Sequence, residues 1–363
     1  MIPLALQSIS EAEQPFVTRL RVATGTADAA DSILVAEDID GATFAGRNGL
    51  VSISGSPAAA LDGDVVLVSS GVGRVERLLR AGGLEIPTNT LLVTERCDQL
   101  CLMCSQPPKK THHDRFALLT EAALLAEPGS LIGITGGEPT LYKAQLLDMI
   151  ETVLAARSDV EFHVLTNGQH FEDADVARLA GALYDRVTWG VPLYARQAAL
   201  HDRIVGKKGA FDRLQDGLAV LLSAGCRVEL RTVLLSSNFT ALGELARYVT
   251  TRLRFVEAWS IMQLENVGYA RKRWQELYLD HSADFGPIAA ALDHAHLHGV
   301  EAQLFNFPLC TVPAPYRHLA RPSISDWKRK FVPECSPCAA RERCCGFFEW
   351  HPDDEARSGV RPL

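Results

Sequence analysis

The chain has 363 residues, 47% apolar and 22% charged, the proportions of an ordinary globular protein long enough for two or three domains. A net charge of −8, with no block rich in lysine and arginine, disfavours broad electrostatic binding to nucleic acid or to an anionic membrane. No run approaches eighteen apolar residues, and the start MIPLALQSISEAEQ lacks the basic head and long apolar stretch of a signal peptide, so a cytoplasmic protein with no membrane partner is expected.

Residues 1–88 carry short alternating runs, such as Phe16-Val17-Thr18-Arg19-Leu20-Arg21-Val22 and Asp64-Val65-Val66-Leu67-Val68, broken by Gly, Asp and Asn. That pattern predicts a small β-rich module, either a buttress or a partner-positioning element. From residue 89 strands alternate with helices. Strands are expected at 91–95, 130–135, 160–166, 187–193, 227–234 and 255–262, and helices at roughly 119–126, 143–157, 173–184, 210–224, 239–251 and 284–298. Six such units predict a parallel sheet with right-handed crossovers, two short of a closed eight-fold barrel. The expected fold class is therefore α/β, a partial (β/α)6 TIM-type barrel over 89–305, with ligands gathered at the C-terminal ends of its strands. Residues 306–363 form a cysteine-rich C-terminal extension.

Nine cysteines in metal-ligand spacings, within a chain of this size, point to reduced thiolates on metal rather than to disulfides. Cys97, Cys101 and Cys104 follow the first expected strand in the spacing CxxxCxxC. Three thiolates on a cube of four irons leave one iron without a protein ligand, free to bind and reduce something from outside. Downstream, the apolar run Leu131-Ile132-Gly133-Ile134-Thr135 ends in Gly136-Gly137-Glu138-Pro139-Thr140. Glycines at a strand end let backbone approach a ligand closely, and Glu138 offers a carboxylate to an ammonium; the plain alternative is a strand-to-helix turn. Cys226 stands apart in Ser223-Ala224-Gly225-Cys226 and reads as a core residue.

Together these motifs resemble the radical S-adenosylmethionine (SAM) superfamily. The resemblance implies a [4Fe–4S] cluster on Cys97, Cys101 and Cys104, whose open iron chelates SAM and whose electron releases a 5′-deoxyadenosyl radical that takes hydrogen from a substrate. It implies that Gly136, Gly137, Glu138 and Pro139 bind the SAM amino group. Thr166 and Asn167, in Leu165-Thr166-Asn167-Gly168, would approach the ribose, and Arg231 on the fifth strand would grip the carboxylate with its donor fork, a structural ion pair being the alternative. Gln263 to Ala270 would lie by adenine. Tyr194 stands where many relatives have a serine or aspartate after the fourth strand, which leaves that contact open. An electron donor such as flavodoxin or ferredoxin is implied.

The C-terminal region holds Cys310, Cys335-Ser336-Pro337-Cys338 and Cys344-Cys345. The spacing CxxCxxxxxC resembles the twitch or SPASM extensions that carry auxiliary clusters, and implies one closed second [4Fe–4S] cluster on Cys310, Cys335, Cys338 and Cys344, with Cys345 as the alternative to Cys344. Zinc on four thiolates is the competing reading. His112, His113, Asp202 and Glu265 are possible pocket groups that surface positions explain equally well. LLVTERCDQLCLMCSQPPKK, VPLYARQAALHDRIVGKKGAF and SISDWKRKFVPECSPCAARERCCGFF together resemble the radical SAM maturase C family of the His-Xaa-Ser peptide system. That resemblance implies a ribosomally made peptide as substrate and a second radical SAM maturase as partner. A radical SAM enzyme acting on a small molecule or nucleoside in cofactor biosynthesis is the alternative, and a non-catalytic electron-transfer or partner-binding scaffold is a third.

Overall fold

A computed structural model describes residues 5–23, 28–82 and 89–363. The expected boundary at residue 88 and the first four residues of the N-terminal stretch lie outside these. The chain divides into two compact units, one of residues 1–94 and 112–164, the other of residues 95–111 and 165–363.

In the first unit, β1 (Ala5–Ser10), β2 (Phe16–Arg21), β3 (Asp31–Glu37), β4 (Gly41–Gly46), β5 (Gly49–Ser54), β6 (Val65–Val68) and β7 (Gly71–Leu79) close into a barrel in the order β1-β5-β4-β3-β2-β6-β7. The pairings are antiparallel except for β2 with β3. Alternation along the strands turns Leu20, Phe44, Val51, Ile53, Val66, Val68 and Val75 inward to one core. Closure pairs every strand of the barrel on both sides and leaves no free sheet edge among the described strands. Three parallel strands follow: β8 (Thr90–Thr94), β9 (Leu131–Gly136) and β10 (Glu161–Leu165). Between them run α1 (Phe116–Leu124) and α2 (Lys143–Ala156), the latter burying Leu146, Ile150, Val153 and Leu154 at helical spacing. α1 packs against β2, β6 and β7, and Arg115 at its start pairs with Glu76 of β7 at 2.9 Å.

The second unit contains α3 (Val176–Leu179), β11 (Val187–Pro192), α4 (Ala198–Val205), α5 (Ala210–Ser223), β12 (Arg227–Val233), α6 (Leu242–Arg252), β13 (Ala258–Met262), α7 (Gly268–Lys272), α8 (Trp274–Leu277), α9 (Gly286–Leu297), β14 (Glu301–Phe305) and β15 (Ala320–Arg321). β11 to β15 pair in parallel, each with the next. On β12, Val228, Leu230 and Thr232 are fully buried on one face, while Glu229 and Arg231 occupy the other. The tail forms a short antiparallel pair, β16 (Arg329–Lys330) with β17 (Phe347–Phe348), followed by α10 (Asp353–Gly359).

The six expected strands are present, their ends displaced by no more than three residues. The count of six needs correction, because β14 pairs in parallel with β13 beyond the sixth. Its sequence, Glu-Ala-Gln-Leu-Phe, buries only Ala302 and Leu304, too few apolar positions to stand out as a strand. The helix expected at 173–184 is the single turn α3 between two 3-10 turns, cut off before Gly181. α4, which the strand and helix pattern does not include, ends at Gly206 in the left-handed region. No helix among the described residues is long and apolar enough to cross a membrane.

Candidate metal and cofactor site

The segment bearing Cys97, Cys101 and Cys104 has no regular structure, and neighbouring backbone holds its shape. Leu100 and Leu102 donate their N–H groups to Val205 O (3.0 Å) and Ile204 O (2.9 Å) at the end of α4. Tyr269 of α7 donates to Cys104 O at 2.9 Å. Both contacts depend on glycine. A Cβ on Gly206 (φ +65°) would stand 2.5 Å from Leu100 O, and one on Gly268 (φ +59°) would stand 2.2 Å from Cys104 O.

Asp98, between the first two cysteines, is the charged anchor. It accepts from Asn167 Nδ2 at 2.8 Å, lies 3.2 Å from His170 Nε2, and pairs with Lys207 Nζ. Burial works against its charge, but the bonds from His170 and Lys207 outweigh it and hold the carboxyl well below the usual range. Asn167 is thus tied to the cysteine segment. Thr166 Oγ1 accepts the Gly168 N–H at 3.1 Å, and Gly217 of α5 comes so close that a Cβ there would lie 1.8 Å from Gly168 O.

Burial, reinforced by the neighbouring Cys104 and Cys97, pushes the Cys101 thiol far above its ordinary value, and burial also raises Cys104. A bare thiol here stays protonated; a bound metal cation is what ionises such a group, so the donor set suits a metal and not a free nucleophile. Tyr194, after β11, packs with Cys101, Leu102 and Met103, and burial followed by the Cys101 and Cys104 thiols drives its phenol upward. Arg231 donates Nη1 to Glu229 at 3.0 and 3.2 Å and Nη2 to Met262 Sδ at 3.3 Å, so the ion-pair arrangement is the one present.

In the first unit, Gly136 ends β9, and a Cβ on it would lie 2.7 Å from Thr94 O; Gly137 donates to that same oxygen at 2.9 Å. Glu138 is 1% exposed, and its Oε1 accepts the Thr140 N–H at 2.8 Å, capping a 3-10 turn that starts at Pro139. The carboxylate is therefore oriented by its own turn. His112 stacks on Tyr142 at 3.8 Å and bonds Thr94 Oγ1 at 3.1 Å, while His113 is exposed.

Back in the second unit, Cys310, Cys335, Cys338 and Cys344 line one cavity of about 350 Å³, partly open to solvent and walled by Pro308, Leu309, Phe331 and Phe347. Sulfur atoms there receive backbone N–H groups: Cys344 from Leu309 (3.3 Å) and Gly346 (3.4 Å), Cys338 from Leu363 (3.5 Å). A hydrogen bond from Cys345, opposed by burial and aided by Gly346 and Leu309, brings Cys344 down to about 6. Cys345 is fully enclosed, packs with Ile324 and Phe348, and burial pushes it well up. Among the described residues no three His, Cys, Asp or Glu side chains converge as a single metal ion requires.

Asp202 caps α5, accepting the Phe211 N–H at 2.8 Å. Burial raises Glu265, against the pull of Lys328 and Trp350. Cys226 is 8% exposed, in the core. Sequence reasoning passed over Asp98, His170 and Lys207, which lie far apart along the chain; their only sequence signal is that each neighbours a recognised motif.

No curated protein matches the chain. Among solved structures, it is similar to Streptococcus suis SuiB bound to S-adenosylmethionine, at 15% identity over 59% of this chain and 49% of that one, TM-score 0.48. The chain thus spans about half the length of SuiB. It is also similar to a radical SAM methyltransferase from Sphaerobacter thermophilus, at 13% identity over 75% and 76% of the two chains, TM-score 0.45. Residues 91–249, which include all three loop cysteines, match the family described as the radical SAM superfamily.

Proposed function

We propose that this protein is a radical SAM enzyme that reductively cleaves S-adenosylmethionine and removes hydrogen from a ribosomally made peptide. The observation that carries the reading is the CxxxCxxC loop within the matched region, with its backbone held on two sides and its three half-buried thiols. Cys97, Cys101 and Cys104 would hold a [4Fe–4S] cluster, which when bound supplies the electron that cleaves SAM to methionine and a 5′-deoxyadenosyl radical. Gly136, Gly137, Glu138 and Pro139 would receive the SAM amino group on a carboxylate already oriented by its turn. Thr166 and Asn167 would face the ribose. Arg231, with Glu229 neutralising part of its charge, would present its remaining donors to the carboxylate.

A second [4Fe–4S] cluster is assigned to Cys310, Cys335, Cys338 and Cys344. Four thiols around one apolar cavity, with N–H groups directed at sulfur, support a cluster larger than one ion; Cys345 is outside that lining and bonds Cys344 through its thiol. Zinc is the alternative, and metal analysis after anaerobic purification separates the two: about eight irons per chain against about four irons and one zinc. The peptide substrate, a second maturase and a flavodoxin or ferredoxin donor in the cytoplasm rest on the sequence resemblance. Incubating reduced enzyme, SAM and the peptide encoded beside its gene should change the peptide's mass. Brisk 5′-deoxyadenosine release with an unchanged peptide would instead favour the small-molecule reading.

A further inference from the structure

Beyond the cysteines, the second unit holds a narrow cleft, open to solvent, where the ends of β13 and β14 meet the tail. Its chemistry is one-sided. His281 is 3% exposed, and its Nε2 lies 2.7 Å from Thr311 Oγ1. The single hydroxyl hydrogen of Thr311 goes to Pro308 O at 2.7 Å, so Thr311 can only accept from His281, and Nε2 carries the ring proton. That leaves His281 Nδ1 a bare acceptor, buried and without a partner. His351 also lines the cleft, with its Nε2 buried and unpartnered. Its ring lies 5.7 Å from Tyr278 and 5.2 Å from Phe347, so aromatic faces wall the space.

Asp280 and Glu355 add carboxylates to the lining, and no lysine or arginine is part of it. The Lys330 ammonium, which adds to burial in lowering His351, is engaged with His351 O and Asp353. Burial brings both imidazoles down to about 4, so neither repels a cation at neutral pH. An anion would meet two carboxylates. A neutral alcohol would gain one hydrogen bond. A protonated amine or guanidinium would satisfy the bare imidazole nitrogen, the carboxylates and the aromatic faces at once.

We propose that this cleft is a binding site for an organic cation carrying N–H donors, an aliphatic ammonium or a guanidinium. The cation could be a lysine-type side chain of a peptide or a free polyamine; the chemistry is shared. Gln263 and Leu264, from the stretch that the resemblance sets by adenine, are part of the lining, so the titration is run without SAM, and binding heat then reads the site whether or not the radical reading holds. The test is isothermal titration of the anaerobically purified full chain with acetyl-lysine methylamide, its neutral isostere acetyl-norleucine methylamide, and 1,5-diaminopentane. At least one cation should bind saturably and tenfold or more tighter than the norleucine compound, with the tighter of the two cations naming the source. His281→Phe removes the acceptor and keeps a ring, and Asp280→Asn, at an exposed position, removes charge without altering shape; each should weaken the cation at least fivefold. If His281→Phe fails to fold, Asp280→Asn decides. Norleucine binding as tight as the cations, no cation binding at all, or folded variants that bind undiminished would each overturn the proposal.

Discussion

The two cysteine regions of this molecule are built on opposite plans. The loop at 97–104 is gripped by its backbone, through Gly206 and Gly268, and by the charge of Asp98, while the Cys101 and Cys104 thiols are half-buried and raised. The tail cysteines surround a cavity with apolar walls, and backbone N–H groups reach the sulfur atoms of Cys338 and Cys344. On the proposed assignment the protein would fix the frame and supply three thiolates in the first plan. In the second it would supply four, together with donors that stabilise sulfur charge. A reactive centre needs an open position on a rigid frame, whereas a relay or structural centre needs closure and balanced charge.

Four experiments could break or sharpen that contrast. The largest effect is expected for Cys101→Ala, which should remove about four irons and abolish SAM cleavage, read as 5′-deoxyadenosine; undiminished cleavage would break the assignment of the loop. Next, Cys344→Ala should lose the tail metal while Cys345→Ala keeps it, measured by metal analysis, with loop-dependent SAM cleavage surviving in both. Equal losses would erase the distinction between the adjacent cysteines.

A third effect is pH-dependent. Burial holds His201, near the loop, and His281, near the tail, at about 4, against about 6.5 when unfolded. Between these values the unfolded chain binds protons that the folded one does not. This stability is therefore complete above about pH 6.5 and falls as pH drops towards 4, by up to about 3 kcal/mol per ring. Denaturant titrations at pH 7.5 and 5 read this, and His281→Phe should flatten part of the difference; equal stability at both pH values would contradict the neutral buried state. The smallest effects are expected at the loop's anchors. Gly268→Ala, with a strained φ and a Cβ against Cys104 O, should cost about 2 kcal/mol, and Lys207→Met about 1–2 kcal/mol. Both should reduce iron retention in the loop while leaving the tail metal in place.

Chemistry that is local in sequence was legible before the structure. Three cysteines within eight residues, the glycine pair ending an apolar run and the paired tail cysteines announce themselves because ligands and turns act over short spacings. Strand positions were legible for the same reason, since burial at Val228, Leu230 and Thr232 follows a period of two. What escaped is long-range or weakly patterned. Asp98 meets Asn167 and Lys207 only after the chain folds back, and nothing in the residue types marks the partnership. β14 is too polar to read as a strand. The seven-strand barrel depends on which short strands pair, which alternation alone does not specify. The bare nitrogen of His281 depends on where one threonine sends its proton.

The most direct test of the central claim is electron paramagnetic resonance of the dithionite-reduced protein, carrying Cys335→Ala and Cys338→Ala to silence the tail, with and without SAM. If the loop holds a [4Fe–4S] cluster with one open iron, SAM should shift the g-values of the reduced signal, and 5′-deoxyadenosine should follow. A cluster signal that SAM leaves unchanged, with no 5′-deoxyadenosine formed, would contradict it.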